Sequence, residues 1–239
     1  MFSYTKKVML PAAFACGLFA ACQPAPKEEA PQHNTLTEEE ISEGWQLLFD
    51  GATTNGWHNY LKDSITGWTV AEGTLTTAGK NGDIVTDREF TDFELLVDWR
   101  ITDQGNSGIF YYIVEDTLNK RMYESGPEFQ IIDNHNYPQE LMENQVTGSA
   151  SDVLKPEMDA TNPVGEWNST RIVVKDGKAE HWLNGRKILS YDLNSEEWKQ
   201  AVAKSKFAEL NYAKVLRGRI GLQDHGNFVA YRNIKIREL

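Results

Sequence analysis

The feature that most constrains this chain is a two-residue turn, Asp176-Gly177, set between stretches that alternate apolar and polar residues. Asp-Gly favours a tight hairpin because both central residues must take positive φ, and such a turn fixes which flanking residues face each other. Pairing Lys175 with Lys178 sets Val174 opposite Ala179, Ile172 opposite His181 and Arg171 opposite Trp182. One face of the hairpin is then mainly core, and the other carries Arg171, Val173, Glu180 and Trp182. Similar alternation recurs in both directions. Trp68 to Thr77 turns at Glu72-Gly73, Phe90 to Ile101 sets Phe93, Leu95, Val97 and Trp99 against a largely charged face, and strands are predicted at Gly108 to Glu115, Gly126 to Asp133, Arg219 to Asp224 and Phe228 to Arg237. Period-two patterning at this spacing, with few helical stretches, predicts an all-β fold of two antiparallel sheets, a sandwich of concanavalin-like, jelly-roll type. Two short peripheral helices are predicted: residues 37 to 44, opened by Thr37 before Glu38-Glu39-Glu40, and Ser195 to Ser205.

The N-terminus has a different character. Lys6 and Lys7 precede an apolar run, Val8 to Phe19, that is too short to span a bilayer as a helix. The run ends in Leu18-Phe19-Ala20-Ala21-Cys22, which resembles a bacterial lipobox, so residues 1–21 are expected to be a lipoprotein signal peptide and Cys22 the lipidated residue. Residues 22–36 are Pro-rich and polar and read as a flexible tether. That leaves 37–239 as one folded domain, lipid-anchored in the cell envelope. The only other cysteine is Cys16, so the domain has no disulfide, no thiol nucleophile and no cysteine-based metal site. A formal net charge of −11, with no basic block, argues against nucleic acid, where neutralising phosphates supplies most of the affinity.

Alternation also sorts the candidate site residues. In the strand from Glu128 to Asp133, Glu128 and Gln130 share one face, while Phe129 and Ile131 take the other. In the segment from Arg219 to His225, Ile220 and Leu222 point to the core and Arg219, Gln223 and His225 point away. Polar faces on several strands predict a cleft. No phosphate-binding glycine loop, G-x-S-x-G or H-E-x-x-H occurs. The five histidines lack ligand-like spacing; a divalent cation held by carboxylates and one His is left open.

The ordered segments Gly44 to Gly51, Gly82-Asp-Ile-Val-Thr86, Gly105-Asn-Ser-Gly-Ile-Phe-Tyr111, Gly126-Pro-Glu-Phe-Gln-Ile-Ile-Asp133, Glu180-His-Trp-Leu-Asn-Gly185, Ser205-Lys-Phe207 and Gly218 to Gly226 resemble the 3-keto-disaccharide hydrolase domain family from about residue 44 to the C-terminus. The resemblance implies cleavage of 3-keto-glycosides. A ketone at C3, made by an upstream oxidoreductase, acidifies the C2 proton; a base removes it, the oxygen at C1 departs, and water adds. It further implies Glu128 as the base, His225 and Asp133 as acid and orienting groups, and Asn106, Gln130, Arg171, Trp182, Gln223 and Asp224 as sugar-binding residues. The chain departs from the family pattern at Ser151, where Tyr is common, and at Asn162-Pro163, where Lys-Pro is common. Two other readings stand beside this one. The spacing Glu128-x-Gln130-x-x-Asp133 is similar to the E-x-D-x-x-E strand of retaining glucanases, which suggests a conventional glycoside hydrolase. Sandwiches of this type also serve as non-catalytic carbohydrate-binding modules.

Overall fold

The computed structural model describes residues 1–5, which carry no regular element, and 32–239. Residues 6–21 of the expected signal segment and Cys22 lie outside the described residues, as does most of the expected tether. Among those described, no helix is long and apolar enough to cross a membrane.

The first strands are β1 (Gln46–Leu47), β2 (Trp57–Asn59), β3 (Trp68–Ala71), β4 (Thr74–Thr77) and β5 (Ile84–Phe90). They are followed by β6 (Phe93–Ile101), β7 (Asn106–Ile113), β8 (Glu128–Ile132), β9 (Asn168–Lys175) and β10 (Lys178–Leu183). Last come β11 (Arg186–Asp192), β12 (Gly218–Leu222) and β13 (Val229–Glu238). Both expected helices form: α1 (Glu38–Ser42) is closed by a capping box between Thr37 and Glu40, and α2 (Glu196–Lys204) is capped by the Ser195 hydroxyl.

All pairings between these strands are antiparallel and make two sheets. The larger runs β11-β10-β9-β6-β13-β4-β3, with β1 also on β13; the smaller runs β2-β5-β12-β7-β8. The 176–177 hairpin has the register expected from its turn, with Val174 opposite Ala179 and Ile172 opposite His181. Asp176 and Gly177 take φ of 51° and 77°, the primed-turn geometry that matches strand twist.

The sheets close on one shared core. Leu95, Val97 and Trp99 of β6 and Ile172 and Val174 of β9 meet Ile109 of β7, Phe129 and Ile131 of β8, and Ile220 and Leu222 of β12. Phe93 and Tyr111 cross between sheets edge to face at 6.1 Å. The one buried indole donor on β6, Trp99 Nε1, gives its hydrogen to Thr170 Oγ1 at 2.8 Å.

The folded body starts before the expected boundary at residue 37. Asn34 is buried, its N–H donates to Asn233 Oδ1 at 2.8 Å, and its Nδ2 donates to the Gly73 carbonyl at 2.8 Å. Residues from Gln32 onward therefore belong to the same unit as the sandwich, because the side-chain clasp onto β13 outweighs their tether-like composition.

Candidate active site

The site is built on the outer face of the smaller sheet. With Phe129 and Ile131 committed to the core, pleating turns Glu128 and Gln130 outward. Gly108 pairs with Gln130 and Phe110 with Glu128, so Gly108 shares that outward face. On the far side of β7, Gln223 N–H donates to the Gly108 carbonyl at 3.0 Å. Ile84 pairs with Leu222, which brings the next position, Asp83, level with Gln223. Four neighbouring chain segments thus carry Asp83, Gln223, Gly108 and Gln130 in one row. Glycine at 108 is required for space rather than backbone freedom. A Cβ there would lie 2.1 Å from Glu128 Oε1, so the Glu128 carboxyl rests over the bare Cα.

Above this row lies a cavity of about 520 Å³, lined by Glu128, Asn106, Gln223 and Asp83 and by the cations Arg121 and Lys206. Three buried side-chain oxygens on its wall have no partner within the protein: Asn106 Oδ1, Glu128 Oε1 and Gln223 Oε1. The Asn106 amide is oriented by donating Nδ2 to Tyr137 Oη at 3.2 Å, which leaves Oδ1 free to accept. A buried acceptor without a donor costs about 1–3 kcal/mol. Each of these three oxygens on one cavity wall can accept a hydrogen from a hydroxyl group.

The carboxyl groups here are not ordinary. Burial pushes Glu128 up to about 8; the Ser151 hydroxyl and Lys206 oppose that, while Asp152 and Asp83 add to it. Burial also pushes Asp83 up to about 6, against the Asp224 N–H that donates to its Oδ1 at 2.9 Å. At neutral pH the first is mainly protonated and the second mainly ionised. Lys206 is ion-paired with Asp152 and stands 5.1 Å from the Phe207 ring centre. Phe207 stacks on Tyr212 at 4.2 Å, and Tyr212 on Trp198 of α2 at 6.0 Å, so the second helix and its following loop hold Lys206 at the rim.

The structure brings together Glu128, Asn106, Gln130, Gln223, Asp224 and His225, as the sequence led us to expect. Their availability differs. Gln130 donates Nε2 to Ser151 Oγ at 3.2 Å and accepts the Ile131 N–H at 3.1 Å, so it serves as wall. Asp224 accepts N–H groups from Lys80, Asn81 and Gly226 and shapes the loop. His225 is exposed at the rim. Of the two departures from the family pattern, Ser151 lines this cavity, while Asn162 lines a separate one of about 310 Å³.

Three expected site residues lie elsewhere. Asp133 follows the end of β8 and borders that second cavity, and its carboxylate accepts N–H groups from Gln104, His135 and Asn136 at 3.0–3.1 Å. Burial raises this group, but the N–H groups of Asn136, Gln104 and His135 outweigh it and hold the carboxyl below its usual range. Arg171 and Trp182 are on the outer face of the larger sheet. There Arg171 is ion-paired with Glu94, and its guanidinium sits 4.8 Å from the Trp182 ring centre. Alternation rightly puts them on a polar face, but strand order assigns β9 and β10 to the other sheet. The sequence reading missed Asp83, Arg121 and Lys206. Asp83 and Lys206 do fall in the family-like segments Gly82 to Thr86 and Ser205 to Phe207. Among the described residues, no group of three His, Cys, Asp or Glu could hold a metal ion.

An antiparallel sandwich carrying hydroxyl-accepting oxygens and a raised carboxyl in one cavity has the groups that a glycoside-acting protein uses, and similarity to known proteins assigns it to that class. The chain belongs to the 3-keto-α-glucoside-1,2-lyase-like domain family, whose pattern matches residues 44–237. A relative from Bacteroides thetaiotaomicron described as a 3-keto-disaccharide hydrolase is 31% identical over 230 residues, spanning 83% of this chain and 79% of its own. A solved structure from Parabacteroides distasonis, described as a candidate glycosyl hydrolase, is 39% identical with a TM-score of 0.84, over 87% of this chain and all of that one. A second from the same organism, described in the same way, is 27% identical with a TM-score of 0.65, over 82% of this chain and 99% of that one.

Proposed function

We propose that this chain cleaves the glycosidic bond of 3-keto-glycosides, 3-keto-disaccharides among them, in the Glu128 cavity. The observation that carries the reading is a buried carboxyl, raised to about 8 and with one unpartnered oxygen, beside the unpartnered amide oxygens of Asn106 and Gln223. Those amides suit sugar hydroxyls. A ketone at C3 makes the C2 proton removable by an ordinary carboxylate; the oxygen at C1 then leaves as C1=C2 forms, and water adds across that bond. Glu128, mainly protonated at neutral pH, suits the acid that hands a proton to the departing oxygen better than the base expected from the sequence. The base's task then falls to another group in the cavity. His225, exposed at the rim, is accessible to a bound sugar.

A 3-keto substrate implies an oxidoreductase upstream that installs the ketone at C3. The basic, apolar and lipobox-like pattern ending at Cys22 supports an exported protein held in the cell envelope by a lipid on that cysteine. A conventional hydrolase pairing Glu128 with Asp133 is disfavoured, because Asp133 is tied to backbone N–H groups beside a different cavity.

Replacing Glu128 with Gln keeps the side-chain shape and removes the proton. Release of free sugar from a 3-keto-disaccharide is expected to fall about 10²–10⁴-fold in the folded variant. Turnover equal to wild type would remove Glu128 from the reaction.

A further inference from the structure

The base left unassigned above can be found among the cavity's remaining ionisable groups. Arg121 and Lys206 are cations, and Lys206 is already paired with Asp152. Asp152 also accepts from Gln145 Nε2 at 2.6 Å, so both its oxygens are engaged. Asp224 is held by three backbone N–H groups, and His225 and Glu140 stand out in solvent. Asp83 differs from all of these: one oxygen accepts the Asp224 N–H, and the residue lines the cavity.

Placement supports the same choice. Asp83 immediately precedes β5, and Glu128 opens β8 with its carboxyl over Gly108 of β7. One segment, the continuation of β12 that carries Gln223, lies between them. Two strand spacings separate the β5 and β7 rows, roughly 10 Å, which is room for one pyranose ring with a carboxyl on each side. The unpartnered Gln223 oxygen sits in the middle of that span. The charged groups facing Asp83 are Asp224 from the turn after β12, Arg121 from the loop before the short turn at Met122–Glu124, and Glu128 across the cavity.

We propose that Asp83 is the catalytic base, taking the C2 proton of the 3-keto-sugar while Glu128 supplies the proton to the leaving oxygen. The proposal rests on the 3-keto-glycoside reading. The C2–H bond breaks to the Asp83 carboxylate, and its electron pair enters a C2=C3 enolate. As the ketone re-forms, C1=C2 is made, the C1–O bond breaks, and the released oxygen takes the Glu128 proton. Water then adds at C1 and a proton returns to C2. The proton gained by Asp83 and the one lost by Glu128 balance over the cycle, and no oxidant or reductant is consumed. The charge of Arg121 keeps that carboxyl from rising further.

The two roles separate by leaving group and by isotope exchange. A 3-keto-disaccharide needs an acid to release its second sugar, whereas 4-nitrophenyl 3-keto-glucoside releases a stable phenolate without one. Both are assayed for product, and a 3-keto-glycoside in D₂O is followed by NMR for deuterium at C2. Asp83→Asn, which still accepts the Asp224 N–H, is expected to lose C2 exchange and cleavage of both substrates by about 10²–10⁴-fold. Glu128→Gln is expected to lose disaccharide cleavage, yet to keep C2 exchange and nitrophenyl release within about tenfold of wild type. Asp83→Glu restores a carboxyl and is expected to recover part of the exchange; circular dichroism reports whether each variant folds. Folded Asp83→Asn with normal C2 exchange, or loss of exchange in Glu128→Gln, would overturn the assignment. If both variants cleave the oxidised disaccharide as wild type does, the site reading itself fails.

Discussion

Gly108 and Glu128 divide one small space between them, and the chemistry depends on that division. Because Gly108 has an ordinary backbone conformation, Gly108→Ala is tolerated by the strand but pushes the Glu128 carboxyl aside. A displacement of about 1 Å can cost on the order of 100-fold in rate; loss of that size is expected for release of sugar from a 3-keto-disaccharide, with the melting temperature little changed. The raised Glu128 also has a stability signature. Its folded value near 8 lies above the ordinary 4.5, so the contribution of the protonated form is present at pH 4 and is lost as pH rises through 8. Glu128→Gln has no proton to lose. It should melt several degrees above wild type at pH 9, with the gap closing towards pH 5, as calorimetry across that range would show. The alternation of side chains is enough by itself to make Glu128, Gln130 and Gln223 legible as an outward set. Asp133 was misread because it lies just past the strand end, where backbone N–H groups compete for a carboxylate and periodicity no longer governs direction. Asp83 went unseen because its place beside Gln223 depends on pairing between segments some 140 positions apart.

At the level of elements, local signals were read well and long-range order was not. The Asp176-Gly177 turn, the register of β9 with β10 and the Thr37 cap of the first helix depend on neighbours in sequence, and each formed as expected. Gly177 has φ of 77°, and a Cβ there would lie 2.3 Å from Asn194 Nδ2. Gly177→Ala is therefore expected to destabilise the protein by about 1–2 kcal/mol, read as a lower urea midpoint at unchanged slope. Which sheet receives each hairpin is decided by contacts between distant segments, so the sequence offered no means of separating the polar face of β9 and β10 from that of β7, β8 and β12. The second helix shows the same limit. Its place in the sequence was evident, but the stack through Trp198, Tyr212 and Phe207 that sets Lys206 at the cavity was not.

Across the whole molecule, the sandwich has two outer faces with different uses. The smaller sheet carries the cavity. The larger carries aromatic rings covered by cations, with Trp182 beneath Arg171 and Trp167 beneath Arg232 at 4.0 Å. Because the core lies between them, truncating both Arg171 and Trp182 to Ala should leave KM for a 3-keto-disaccharide within about twofold, although each lost cation–π contact lowers stability by about 0.5–1 kcal/mol. A shift in KM alone would place the sugar on the wrong face in this account. The central claim concerns the ketone, and product analysis of the purified protein tests it most directly. Given a disaccharide and its 3-keto form side by side, the protein should release sugars from the oxidised form and leave the parent intact. Cleavage of the parent at a comparable rate, or saturable binding of both with no product from either, would contradict it.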